Sequence, residues 1–325
     1  TNQYGEELWV TDGTPAGTQM VIDLHAGDGS SSPANLTSFG NLLVFTADVP
    51  GFGREPWVTD GTRAGTQLLG DLMPGSASSA PDHFAAAGGR VVFAADDGTH
   101  GSEPWSTDGT LAGTAQMIDL NPGNPSSNPI EFTAFGGELW FSATQSGVGN
   151  ELFRTDGTAG GTSLVVELIP GNASLNADGL TAFGNLMLFH GSFGGAGVFE
   201  PCVTDGTLGG TLLLDDINTP ASDSSPKLFA NIGNDVFFSA SGDTSGREPY
   251  KTDGTPTGTV LIKDVNPGSF GSTMTTRAER GGDVFFDANV SQQSINLYVT
   301  DGTGANTVAL TSGTVTPRAL TTLGS

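Results

Sequence analysis

Residues 55–66 read Glu55-Pro56-Trp57-Val58-Thr59-Asp60-Gly61-Thr62-Arg63-Ala64-Gly65-Thr66, and near copies of this stretch return along the whole chain. The Thr-Asp-Gly-Thr tetrads start at Thr11, Thr59, Thr107, Thr155, Thr204, Thr252 and Thr300, at intervals of 48 residues with a single 49. A period in this range belongs to solenoids and propellers, so the repeat decides the architecture before any local reading. Each copy reads as a hairpin. Trp57-Val58-Thr59 and its equivalents suit a pleated surface. Asp60-Gly61 supplies a turn in which aspartate bonds its own backbone and glycine takes positive φ. Gly65 is expected to end the loop before the outgoing run Gln67-Leu68-Leu69. The hairpins fall at 7–24, 55–72, 103–120, 151–168, 200–217, 248–265 and 296–312.

Working outward from the hairpin, a polar stretch such as His25 to Ala34 leads to a short strand around Leu36 to Phe39, a Gly40-Asn41 turn and the apolar run Leu42 to Ala47. Each period thus offers four short strands and no 3.6-residue pattern. The runs Leu42–Phe45, Arg90–Phe93, Glu138–Phe141, Leu186–Phe189, Asp235–Phe238 and Asp283–Phe286 are apolar on consecutive positions, which calls for cover on both faces. These features predict an all-β, seven-bladed β-propeller of about 48-residue, four-stranded repeats, forming a single domain over residues 1–325.

Glu7-Leu8-Trp9-Val10-Thr11-Asp12-Gly13-Thr14 resembles the motif of the bacterial ELWxxDGT tandem-repeat proteins, and the likeness covers essentially the whole chain. Later copies depart from it, with Cys202, Tyr250 and Tyr298 at the aromatic position and Asn296 in place of the glutamate. Those departures point to a packing role for the aromatic residue. The resemblance implies a secreted or cell-surface β-propeller and brings no catalytic residue with it.

Eleven Lys plus Arg against 35 Asp plus Glu give a net charge of −24. Such a surface repels phosphate backbones and anionic lipid, which argues against nucleic acid, and no apolar run is long enough for membrane insertion. Thr1 opens no charged-then-apolar signal pattern, so export would require that a signal had already been removed. The lone Cys202 allows no internal disulfide and reads as a buried filler.

Three carboxylates recur: before the hairpin (Glu7, Glu55, Glu103, Glu151, Glu200, Glu248), in its turn (Asp12, Asp60 and equivalents) and at the end of the outgoing strand (Asp23, Asp71, Asp119, Glu167, Asp216, Asp264). The turn aspartates are expected to cap their turns and the glutamates to accept from backbone amides. Asp96, Asp97 and Glu103 form an oxygen-rich segment that is a possible calcium site, although it lacks the ligand spacing of an EF-hand. The four histidines share no phase and make no zinc pattern.

The hairpin turns are nearly uniform, whereas the loops on the opposite rim differ, and variable loops on a rigid scaffold are where binding function lives. Phe52, His100, Gln145, Phe193 and Gln292 mark that candidate ligand rim. The leading expectation is a non-catalytic extracellular module for a glycan, a protein or copies of itself. The alternative is a glycan-active hydrolase or lyase with its site at the channel mouth, although no nucleophile elbow or phosphate loop is present and no catalytic residue is singled out.

Aligning Leu323-Gly324-Ser325 with Phe39-Gly40-Asn41 predicts a closing blade shared between the termini, with an inner strand over Ala319 to Leu323 and outer strands over Leu8 to Leu24, lacking one strand. The gap is expected to be filled by a strand not in this sequence, from the same polypeptide or donated by a neighbour. Donation would make the protein a filament or sheath subunit.

Overall fold

The computed structural model describes residues 3–167, 171, 173–192, 198–218, 222–291, 294–312 and 320. The chain packs as two compact units, Thr1–Val165 and Val166–Ser325. The first holds a two-stranded hairpin, β1 (Trp9–Val10) and β2 (Gln19–Met20), followed by three four-stranded antiparallel sheets. These are β3 (Ala34–Phe39), β4 (Leu42–Val49), β5 (Gly53–Thr59) and β6 (Gln67–Leu68); then β7 (Asp82–Ala87), β8 (Arg90–Asp96), β9 (Ser102–Thr107) and β10 (Ala115–Gln116); then β11 (Ile130–Phe135), β12 (Glu138–Gln145), β13 (Gly149–Thr155) and β14 (Ser163–Leu164). The second unit holds three more sheets of the same order, starting at Asp178, Lys227 and Arg277. Four consecutive antiparallel strands in sequence order, repeated at this period, are the blades of the β-propeller fold. Among the described residues each of the seven repeats contributes to it, the first by the β1–β2 hairpin.

The second and third strands are covered on both faces, as their continuous apolar runs require. Val44, Phe45, Val91, Val92, Phe93 and Phe141 are fully buried. Side chains from neighbouring sheets meet there: Val44 and Val58 pack with Val91, and Val92 packs with Leu139, Phe141 and Phe153. The hairpin aromatics Trp57 and Trp105 are each 8% exposed, and Cys202 is buried among them in kind.

The outgoing strand is shorter than its apolar run suggests. Only Gln67 and Leu68 join the ladder, after which one further bond runs from Leu69 N–H to the Pro56 carbonyl. Beyond that, the amide of Leu72 turns to the Glu55 carboxylate, so a side chain ends the strand by taking the donor that the ladder would use.

The inner strand is also irregular. Its register shifts between Ala34 and Thr37, and Asn35, inside the shift, takes φ 54°. His83, Glu131 and Leu228 repeat this left-handed conformation at the equivalent place. A bulge of this kind increases local twist, and its recurrence makes it part of the blade. The inner strand expected over Ala319 to Leu323 lies outside the described residues except for Leu320, whose amide donates to Thr276 Oγ1 at 3.0 Å.

Candidate functional site

Each blade has two edges of different character. The first carries the Thr-Asp-Gly-Thr turn, whose polar groups are consumed locally. Asp60 Oδ1 accepts from the amide and hydroxyl of Thr62 at 2.8 and 2.7 Å. Thr59 Oγ1 accepts from Gly61 N–H and donates to Thr66 Oγ1, whose own proton goes to the Thr62 carbonyl, while Thr62 Oγ1 accepts from Gly65 N–H. The same bonds recur around Asp12, Asp108, Asp156, Asp205 and Asp253. The Thr62 hydroxyl and amide hold the Asp60 carboxyl below its ordinary value, so the turn keeps its anion.

The second glycine of the motif stands at the end of the turn before the outgoing strand, as expected, and its need for glycine is steric. Gly65 has no positive φ; a Cβ placed on it would collide with the Asp60 carboxylate. Glycine is therefore there to make room for the cap. The seventh repeat carries Asn306 at this place, and the Asn306 amide donates to Asp301 Oδ2 at 2.6 Å.

The glutamates before the hairpins lie inside the blade. Glu7, Glu55, Glu103, Glu200 and Glu248 are 0 to 6% exposed. Glu55 accepts from Leu72 N–H at 3.1 Å, Ser79 N–H at 2.9 Å and the Ser79 hydroxyl at 2.6 Å. Glu7, Glu200 and Glu248 repeat this with Ser31, Ser224 and Ser272. Burial pushes the carboxyls of Glu55, Glu103, Glu200 and Glu248 up, against the pull of the hydrogen bonds. The third carboxylate set caps the following loop, as Asp71 does by accepting from Gly75 N–H at 3.2 Å.

The second edge gathers the loop between the second and third strands against the loop that follows the outgoing strand. In the sheet β7–β10, Ser102 N–H donates to Ser126 Oγ at 2.9 Å and Ser127 N–H to the Ser102 carbonyl at 3.0 Å. In β3–β6 the backbone of Gly53 lies so close to the Ala77 carbonyl that no Cβ fits. Phe52, 39% exposed, stands at the tip of one such loop, His100 stands on the loop of the next sheet, and Gln145 is the last residue of β12, where the following loop begins. Phe193 and Gln292 lie outside the described residues.

The Asp96–Glu103 segment divides between these environments. Asp97 accepts from the amides of Thr99 and His100 and from His100 Nδ1 at 2.7 Å, and Asp96 accepts from Gly98 N–H. Against the upward pull of burial, these donors bring the Asp97 carboxyl below its ordinary value, and the bond to Asp97 raises the His100 imidazole. Glu103 instead points inward to the amides of Leu120 and Ser127. Among the described residues no three His, Cys, Asp or Glu side chains are grouped so as to hold a metal ion, and the segment is organised as a capped loop.

One surface went unseen in the sequence reading. Trp9, equivalent to the buried Trp57, is 56% exposed and borders an apolar groove of about 310 Å³ that Leu8, Val10, Leu36 and Leu43 also line. The motif treats all hairpin aromatics alike, and no feature of the hairpin itself separates Trp9 from Trp57.

No protein-family model matches the chain, and no curated protein sequence matches it. Among solved structures, the chain is similar to the β-propeller domain of the Trilobed protease from Pyrococcus furiosus, at 11% identity and TM-score 0.46, covering 86% of this chain and 85% of that one. It is similar to TolB from Acinetobacter baumannii at 11% identity and TM-score 0.42, covering 86% of this chain and 66% of that one. It is also similar to a puromycin hydrolase S511A mutant complexed with PGG, at 15% identity and TM-score 0.48, covering 87% of this chain and spanning 46% of that one. Among the described residues no helix is long and apolar enough to cross a membrane.

Proposed function

We propose that the chain is a non-catalytic β-propeller module of the ELWxxDGT repeat type, displayed outside the cell, that binds a glycan, a protein or a neighbouring copy through its variable loop edge. The observation that supports this most is the contrast between the two edges of each blade. The turn edge repeats the same bonds from blade to blade, which makes it scaffold. The loop edge is anchored by the same serine and glutamate contacts but presents different tips, Phe52 in one sheet and His100 in the next. Variable tips on a fixed base are how a repeat scaffold acquires a ligand.

The buried carboxylates favour binding over hydrolysis. Glycoside hydrolysis uses two carboxyl groups facing one another across a bond. Here Glu55, Glu103, Glu200 and Glu248 are each committed to amides of their own repeat. Screening the protein against arrays of soluble glycans and secreted proteins, beside Phe52→Ala and Gln145→Ala variants, tests the reading. A ligand whose binding weakens in these variants at unchanged melting temperature supports it. Release of reducing ends or unsaturated sugars from a glycan would contradict it.

A further inference from the structure

The outgoing strand is the outermost of each complete blade, and what it shows to solvent differs between the two units. In residues 1–165 the outgoing pairs of the four-stranded sheets are Gln67-Leu68, Ala115-Gln116 and Ser163-Leu164, each with a polar or small first member exposed and a second member half-buried. In the fifth repeat the pair is Leu212-Leu213 and in the sixth Val260-Leu261, and all four side chains are exposed, Leu212 and Val260 at 43% each. The turns just before them extend the patch with Leu208, 67% exposed, and with the exposed Pro256.

The two sheets that carry the patch are neighbours. Val203 and Leu214 of the fifth repeat share a buried cluster with Phe238 and Tyr250 of the sixth. Their outgoing strands therefore stand side by side, and among the described residues each pairs only with the third strand of its own sheet. A single surface leucine needs no explanation, but apolar side chains repeated at one position of adjoining sheets mark an interaction surface.

Beyond the apolar residues the two repeats carry opposite charges. Asp215 follows the buried Leu214, and Lys263 holds the equivalent place after Ile262. Among the described residues no ion pair includes either of them. Burial pushes the Asp215 carboxyl up, and the charge that adds to this is another anion, Asp216. Lys263 donates to the Thr307 carbonyl at 2.7 Å, which leaves further N–H groups of its ammonium to spare.

This pattern matches a second copy of the same chain. A half-turn about an axis that runs along the outgoing strands, midway between the two repeats, sets the fifth repeat of one copy against the sixth of its partner at the same level. Leucine then meets valine and leucine, and each unpaired charge meets its opposite twice over. Residues 166–325 hold 16 Asp plus Glu and 7 Lys plus Arg, a net −9, against 19 and 4, a net −15, for residues 1–165. Contact here joins the less charged units, and repulsion between more distant charges is screened beyond about 8 Å at physiological ionic strength.

We propose that two copies of the chain associate side by side through the outgoing strands of the fifth and sixth repeats, with Leu212, Leu213, Val260 and Leu261 at the centre of the interface and Asp215 paired with Lys263 of the partner subunit on either side of the axis. Such an axis leaves the loop edges of both copies facing one way, so that a ligand surface meets two of them. The interface is separate from the loop edge, and only that last consequence rests on the function proposed above.

Sedimentation velocity of the full chain from micromolar to millimolar concentration is expected to show a monomer–dimer equilibrium. Leu212→Gln and Val260→Gln install the residue that Gln67 supplies at this place in the second repeat, which the blade accommodates. Each is expected to weaken dimerisation at least about ten-fold at unchanged melting temperature. Asp215→Lys and Lys263→Asp each set like charges against one another and are expected to weaken it by a similar factor, whereas the variant carrying both changes is expected to recover it. A chain that stays monomeric at millimolar concentration would overturn the proposal. So would a dimer indifferent to the glutamine variants, or one that both charge reversals weaken and their combination does not restore. A dimer abolished by Phe52→Ala and untouched by Leu212→Gln would move self-association to the loop edge. Binding of a monomeric chain to neutral phosphatidylcholine vesicles, lost in Leu212→Gln, would assign the patch to lipid instead.

Discussion

At the scale of the residue, the repeat persists because each of its polar positions answers a defined need. Gly65 yields space to the Asp60 carboxylate, and Asn306 shows how another residue joins the bond instead. Gly65→Ala is therefore expected to destabilise by roughly 1–3 kcal/mol, the range for forcing extra atoms into a filled site. Gly65→Asn should cost less, which urea denaturation of the two variants checks. Glu103→Ala would strand the amide of Leu120 inside the blade and leave Ser127 N–H to the Ser102 carbonyl alone, at a cost of about 1–3 kcal/mol. A variant as stable as the parent would show that water replaces the carboxylate.

The same residues give stability an opposed pH dependence. Folding raises Glu55, Glu103, Glu200 and Glu248 above their ordinary 4.5. The folded state thus takes up protons before the unfolded chain does, and this contribution is complete below 4.5 and lost as pH rises through the folded values. Folding lowers Asp12, Asp60, Asp108 and Asp156 below 3.8, so their contribution is present above 3.8 and lost as pH falls through the folded values. The melting temperature should rise on acidification toward 4.5 and fall once the pH drops below 3.8. A steady decline from neutral pH downward would contradict the glutamate part of this reading.

At the scale of the element, hydrophobic pattern and turn chemistry made most strands legible. The consecutive apolar run of β4 announced cover on both faces, and Gly40-Asn41 announced its turn. What was not legible depended on groups distant in sequence. The outgoing strand stops at Leu68 because Glu55, 17 residues before Leu72, captures an amide. The bulge at Asn35 likewise has no marker within its own strand. Burial separates the equivalent tryptophans: Trp57→Ala should cost roughly 3–5 kcal/mol, as loss of a large buried aromatic does. Trp9→Ala should change stability by less than about 1 kcal/mol, as a surface substitution does. Chemical denaturation of both distinguishes them, and equal losses would show that Trp9 is packed in solution.

At the scale of the whole molecule, a period of 48 residues identified the blade and its number of strands, whereas ligand chemistry left a weaker trace. Repeats enforce sameness at positions that build the blade, so motif reading finds scaffold first. Under the proposed function the binding residues lie where the repeats disagree, and disagreement alone does not name a ligand. The oxygen-rich segment around Asp97 shows the difficulty: its composition suggested a cation, and its geometry is that of a loop capped by its own amides and His100.

The most direct test of the central claim compares the two edges of the blades in one binding experiment. Phe52→Ala and Gln145→Ala alter the loop edge, while Arg63→Ala and Leu111→Ala alter exposed tips of the turn edge. Affinity of each variant for the strongest array ligand is then measured by calorimetry. The account predicts at least about ten-fold weakening, or 1.4 kcal/mol, from the loop-edge changes and parental affinity for the turn-edge changes. Weakening by the turn-edge variants with the loop-edge variants unaffected would contradict it.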